Sequence, residues 1–136
     1  MSAEDQAPEA PLATAEQLAV LARLEGVIRS RRGADPESSH TARMLARGTR
    51  KCAQKFGEEA VETVVAAVAE SRADLASEAA DALYHLLIVL ASRDVALSDV
   101  LAQLAKREGK SGVAEKAART VEGARSDAAG GAAETP

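Results

Sequence analysis

Along most of the chain apolar residues recur at steps of three and four, the period of a helix with one buried face. The first such run opens at Thr14, which with Gln17 forms a Thr-x-x-Gln capping box, places Leu18, Leu21, Leu24 and Ile28 inward, and stops at Gly33. After a loop at Ala34-Asp35-Pro36, a short helix from Ser39 to Ala46 turns Met44 and Leu45 inward, and Gly48 ends or bends it. A third helix, Thr49 to Ala69, carries Val61, Val64, Val65 and Val68 as an apolar stripe. The chain turns at Glu70-Ser71-Arg72 into a fourth helix, Ala73 to Ser92. There Leu75, Ala79, Leu83, Leu86, Leu87 and Leu90 are joined by Tyr84, Ile88 and Val89 on the other sides, which predicts burial in a core or a subunit interface. Leu97-Ser98-Asp99 starts a fifth helix ending near Arg107, and Gly109-Lys110-Ser111-Gly112 links it to a last helical piece, Val113 to Arg119. Residues 1–13 and 120–136 lack periodicity and are expected to be disordered tails around one domain, 14–119. The predicted fold is all-α: an antiparallel bundle of four to five helices, completed by a homodimer that covers the apolar fourth helix.

Composition narrows the partners. The 136 residues carry a net charge of −4 and include no Trp, with Phe56 and Tyr84 the only aromatics. That balance argues against nucleic-acid binding, and Arg29-Ser30-Arg31-Arg32 is too short to reverse it. Cys52 has no second cysteine to pair with and reads as a small core residue. The start of the chain lacks the basic and apolar run of a signal peptide, so a cytoplasmic protein is expected. The longest near-apolar run, Ala79 to Ala91, is broken by Asp81 and His85 and is too short for a membrane span.

Chemistry concentrates in the acids. Glu58, Glu59 and Glu62 share one face of the third helix, and Glu78 and Asp81 one face of the fourth. The intervening chain is long enough to finish one helix, turn and return antiparallel, so the two acidic ledges can meet. Carboxylates gathered in this way repel and raise one another's pKa unless a cation sits among them. A single Glu pair at such spacing is ordinarily a solvated face; two pairs on adjacent helices, one helix having little polar surface, point instead to a divalent cation. Hard oxygen donors without cysteine favour Mg²⁺ or Mn²⁺ over zinc. A di-iron site would need Glu-x-x-His on two helices, whereas His85 follows Asp81 at the wrong spacing and only once. Lys51 and Lys55 extend the third helix's acidic face backward and suit a polyphosphate bridged to the metal, or else form surface salt bridges. His85 reads as a core imidazole rather than a partner of the Asp81 carboxylate.

Ser39-His40-Thr41-Ala42-x-Met44-Leu45, Lys51 to Lys55, Gly57-Glu58-Glu59-Ala60-x-Glu62, Glu78-Ala79-Ala80-Asp81-x-Leu83-Tyr84-His85-Leu86-Leu87 and Gly109-Lys110-Ser111-Gly112-x-Ala114-Glu115-Lys116-Ala117 together resemble the phosphoribosyl-ATP pyrophosphohydrolase family. That family belongs to the all-α, Mg²⁺-dependent nucleotide pyrophosphatases of the MazG type. The acidic pattern specifies the superfamily; Tyr84-His85 and the Ser-Gly-x-Ala-Glu-Lys ending favour the histidine-pathway member. His40 stands where an aromatic residue, usually Tyr, is expected.

The resemblance implies hydrolysis of phosphoribosyl-ATP to phosphoribosyl-AMP and pyrophosphate, the second step of histidine biosynthesis, acting on a small-molecule nucleotide. It implies Mg²⁺ held by Glu59, Glu62, Glu78 and Asp81, with Glu58 completing the shell or accepting a proton from the attacking water. Lys51 and Lys55 would steady the phosphates, and Lys110, Lys116 and Arg119 would close over the substrate's second phosphate. The runner-up is a housekeeping nucleoside triphosphate pyrophosphatase of the same superfamily. A non-enzymatic dimerisation module is the third reading.

Overall fold

The computed structural model describes residues 8–109 and 119–122. Five helices appear among them: α1 (Ala15–Ser30), α2 (His40–Ala46), α3 (Thr49–Ala69), α4 (Arg72–Ser92) and α5 (Leu97–Ala105). The all-helical expectation holds, and so do most boundaries, because local capping sets them. Thr14 and Gln17 make the reciprocal capping box at α1, Ser39 accepts from the Ala42 N–H at α2, and Ser71 and Asp74 close a second box at α4. Gly48 adopts φ +88°, which turns the chain sharply between α2 and α3 at a position where a side chain would be strained.

The described residues form two compact units, one through Leu97 and one from Ser98 onward. In the first, α4 is the hub and packs against α1, α2 and α3. Its inner residues Leu87, Ile88 and Ala91 join Ile28 of α1, Met44 of α2, Cys52 of α3 and Leu97 in one core. The Cys52 thiol donates to the Met44 carbonyl at 3.2 Å, in keeping with a structural role. Arg32 ties the end of α1 to the end of α4, donating to the Ala91 carbonyl at 2.6 Å and pairing with Asp94 at 3.2 Å. The Leu97 N–H donates to the Glu25 carboxylate at 2.5 Å. In the second unit, α5 continues from Ser98 to Ala105, and residues 119–122 are helical, extending past the expected helix end at Arg119.

Three expectations change. The α3 valines do not face the core: Val61, Val64, Val65 and Val68 are 62%, 63%, 48% and 83% exposed. The face of α3 turned inward carries Cys52, Glu59 and Ala66 instead. Leu18 of α1 is likewise on the surface. The third change concerns the membrane: α4 has the expected extent, but taken whole, and not as the run Ala79–Ala91, it is long and apolar enough to cross a membrane by length and composition alone. Here it is the hub of the first unit.

Ile88 is wholly enclosed, so Ile88→Ala should cost about 2–5 kcal/mol of stability. Urea unfolding measures this; a loss below roughly 1 kcal/mol would mean that the core is not centred on α4.

Candidate metal centre

The tight turn between α3 and α4 fixes which side chains oppose one another. Glu59 and Asp81 each lie eleven residues from Glu70, and Glu62 and Glu78 each lie eight, so an antiparallel hairpin pivoting there sets each pair level. One carboxylate oxygen from each of Glu59, Glu78 and Asp81 falls within 4.8 Å of the other two. Glu59 is buried, Glu78 half-buried and Asp81 exposed, which gives a pocketed inner wall and an open outer rim.

A buried carboxylate is costly unless paired. Lys55, one turn before Glu59, supplies the partner: its Nζ lies 2.9 Å from Glu59 Oε1. That hydrogen bond holds the Glu59 carboxyl below the usual range against the opposing effect of burial, and raises the Lys55 ammonium above its own. Glu62 behaves oppositely. Its hydrogen bond and negative neighbour at Glu59, with Glu78 beyond, push its carboxyl above the usual value. Crowding raises Glu62 but not Glu59, because an ammonium already serves Glu59 as counter-cation.

Glu58 is not part of the cluster. It accepts from Gln54 Nε2 at 3.3 Å and sits 3.8 Å from Lys55, on the exposed flank. Among the described residues Lys51 reaches Gln54, at 3.4 Å, and no carboxylate. Lys110 and Lys116 lie outside the described residues, and Arg119 falls in the second unit.

Beside the ledge, α2 and α4 are strapped together by two contacts in antiparallel order. His40 meets His85, Nε2 to Nε2 at 3.3 Å, and Thr41 hydrogen-bonds Tyr84. His85 is buried, and its Nδ1 lies 2.8 Å from the Asp81 carbonyl oxygen. Only an N–H can satisfy a carbonyl, so His85 Nδ1 carries a proton; in that tautomer of the neutral ring Nε2 accepts and His40 Nε2 donates. His85 is thus bonded to the Asp81 backbone and not to its carboxylate. Partial burial first, then the electrostatic influence of His85, Arg43 and Lys55, holds the His40 pKa below its usual value, which favours a neutral His40 ring. The sequence reading did not foresee this strap.

The three oxygens fit a hard divalent cation. Ligand oxygens around Mg²⁺ at about 2.1 Å stand roughly 3–4.2 Å apart, so a span no wider than 4.8 Å needs only small rotamer changes to close. An all-oxygen, doubly or triply charged donor set with an open outer side matches Mg²⁺ or Mn²⁺ chemistry.

The family model for phosphoribosyl-ATP pyrophosphohydrolase matches residues 21–108, which include α2, α3, α4 and the whole ledge. Curated relatives called phosphoribosyl-ATP pyrophosphatase agree with it. The chain is similar to that of Dinoroseobacter shibae, 64% identical over 102 residues, which is 75% of this chain and 100% of the relative. It is also similar to a Cereibacter sphaeroides protein at 62% identity (75% of this chain, 99% of the relative) and to that of Ruegeria pomeroyi at 60% (75% and 97%).

If Lys55 holds Glu59 ionised, Lys55→Met should raise the Glu59 pKa in metal-free protein, followed by carboxyl ¹³C NMR across a pH titration. The sign also fixes a stability effect. A depressed folded pKa stabilises above the unfolded value and is lost as pH falls through the folded one, so the acid limb of unfolding should move to higher pH in the variant. An unmoved Glu59 titration would remove Lys55 from this role.

Proposed function

Because the chain belongs to the phosphoribosyl-ATP pyrophosphohydrolase family and is a hydrolase, we propose that it splits phosphoribosyl-ATP into phosphoribosyl-AMP and pyrophosphate. On this reading it serves the second step of histidine biosynthesis, in the cytoplasm, with Mg²⁺ as cofactor and Mn²⁺ as a substitute. The observation that carries the metal reading is the convergence of Glu59, Glu78 and Asp81 across the hairpin. Glu62, on α3 three residues after Glu59 but outside the converging trio, would join them as the fourth ligand. When bound, Mg²⁺ supplies charge neutralisation on the phosphate oxygens and opens the α–β bond to attack by water.

The chain's own residues do the rest. Lys55 keeps Glu59 ionised, and beside the ledge it would also pair with a phosphate oxygen of the substrate. Lys51, on the same side and held by Gln54, can do likewise. Glu58, outside the ligand cluster but tied to it through the shared Lys55, is placed to accept the proton of the attacking water at the rim. His85 fixes the α4 backbone at Asp81.

We assign the working form as a homodimer, with the interface moved from α4 to α3. The support is the continuous exposed stripe Val61, Val64, Val65 and Val68, with half-exposed Leu83 on α4, which one chain leaves in water.

Purified protein should release pyrophosphate from phosphoribosyl-ATP faster than from ordinary or damaged nucleoside triphosphates, and chelation should abolish turnover. Asp81→Asn and Glu62→Gln should each lower kcat/KM at least about tenfold; turnover that survives chelation, or a preference for plain triphosphates, would contradict the reading. In sedimentation velocity, Val64→Asp should convert a dimer into a monomer, and a monomeric parent protein would remove the dimer.

A further inference from the structure

The carboxylate ledge accounts for one charged pole of the site, and its nearest cation is committed: Lys55 is held by Glu59 and Glu58. The segment Ser38 to Gly57, immediately before the ledge, contains no acid and carries His40, Arg43, Arg47, Arg50, Lys51 and Lys55, although the whole chain has a net charge of −4. Arg43 makes no ion pair among the described residues and is exposed. It stands one turn after His40 on α2, so the two side chains rise from neighbouring points about 5–6 Å apart. His40 touches His85, which is bonded to the Asp81 backbone, so α2 holds Arg43 on the helix that borders the ledge; the charges of Arg43 and Lys55 are both felt at the His40 ring.

The His40 ring has only one nitrogen to offer. Its Nε2 proton is spent on His85, because His85 Nδ1 donates to the Asp81 carbonyl. The neutral ring therefore keeps a bare Nδ1, a hydrogen-bond acceptor with no partner among the described residues. A guanidinium that lacks a carboxylate, next to a fixed acceptor, matches a group that carries an anion and a hydroxyl a few ångströms apart.

We propose that Arg43 and His40 form a ribose-phosphate subsite beside the carboxylate ledge, in which Arg43 pairs with a phosphomonoester and His40 Nδ1 accepts from a sugar hydroxyl. This rests on the substrate reading above, since phosphoribosyl-ATP carries a ribose 5-phosphate in addition to the triphosphate that the ledge would engage. Arg43 is then a substrate-binding residue that separates phosphoribosyl-ATP from ATP, which lacks the second anionic pole.

The test uses the full chain and two readouts: binding of ribose 5-phosphate, followed by NMR shifts of the His40 imidazole, and steady-state pyrophosphate release. Arg43→Gln should weaken ribose 5-phosphate binding and raise KM for phosphoribosyl-ATP roughly tenfold to a hundredfold, the loss of one charge-assisted contact, with kcat within about twofold. Arg43→Lys should recover part of the affinity, and KM for ATP should not move. Unchanged binding and KM in Arg43→Gln, or a fall in kcat alone, would overturn the proposal. Arg43-dependent binding of ribose 5-phosphate by a protein that does not turn over phosphoribosyl-ATP would instead sink the substrate reading and leave the subsite standing.

Discussion

A carboxylate cannot be left alone in a helical core, and Glu59 is a carboxylate in that position. The inner face of α3 spends one of its three buried places on it, and the cost is met by Lys55 one turn earlier on the same helix. That pair lies along one helix and needs no residue of α4. The hairpin sets Glu78 and Asp81 opposite that group, so carboxylates outnumber the one ammonium paired with them. An anionic ledge facing a solvent-open rim is the chemical statement of a cation site.

The ledge depends on α4 being held in one register. The core packing of Ile88, Leu87 and Ala91 sets its depth, and Arg32 anchors its far end at Ala91 and Asp94. Near the acids, His85 and Tyr84 take hold of His40 and Thr41, so the short helix α2 is fixed against the same turn of α4 that presents Asp81. The basic segment that begins on α2 is thereby brought beside the acidic one. Adjacent patches of opposite sign suit a metal–polyphosphate ligand, whose cation and anions need different neighbours.

Much of this was legible in the chain. Thr14 announced the first helix start, and Ser39 and Ser71, read as a helix residue and a turn residue, prove to be caps as well, since capping is local chemistry. The meeting of Glu59 with Glu78 and Asp81 followed from helical spacing and one short turn. What did not follow was direction. Val61, Val64, Val65 and Val68 form an apolar stripe, yet a stripe states only that a face avoids water; the structure turns the face with Cys52, Glu59 and Ala66 inward and leaves the valines for another surface. Glu58 was grouped with the ledge by spacing, but its separation from Glu59 around the helix carries it to the flank with Gln54. The His40–His85 contact was missed because it joins residues 45 apart in sequence, and no local pattern encodes that proximity.

The central claim is that the hairpin's opposed carboxylates grip one hard cation together. Titrating the full chain with Mn²⁺ while following water-proton relaxation measures that grip without any substrate. Saturable binding, displaced by Mg²⁺ and weakened when Glu59→Gln on α3 or Glu78→Gln on α4 is introduced alone, is the result the account predicts. Binding that ignores either substitution, or no saturable binding by the parent protein, would contradict it.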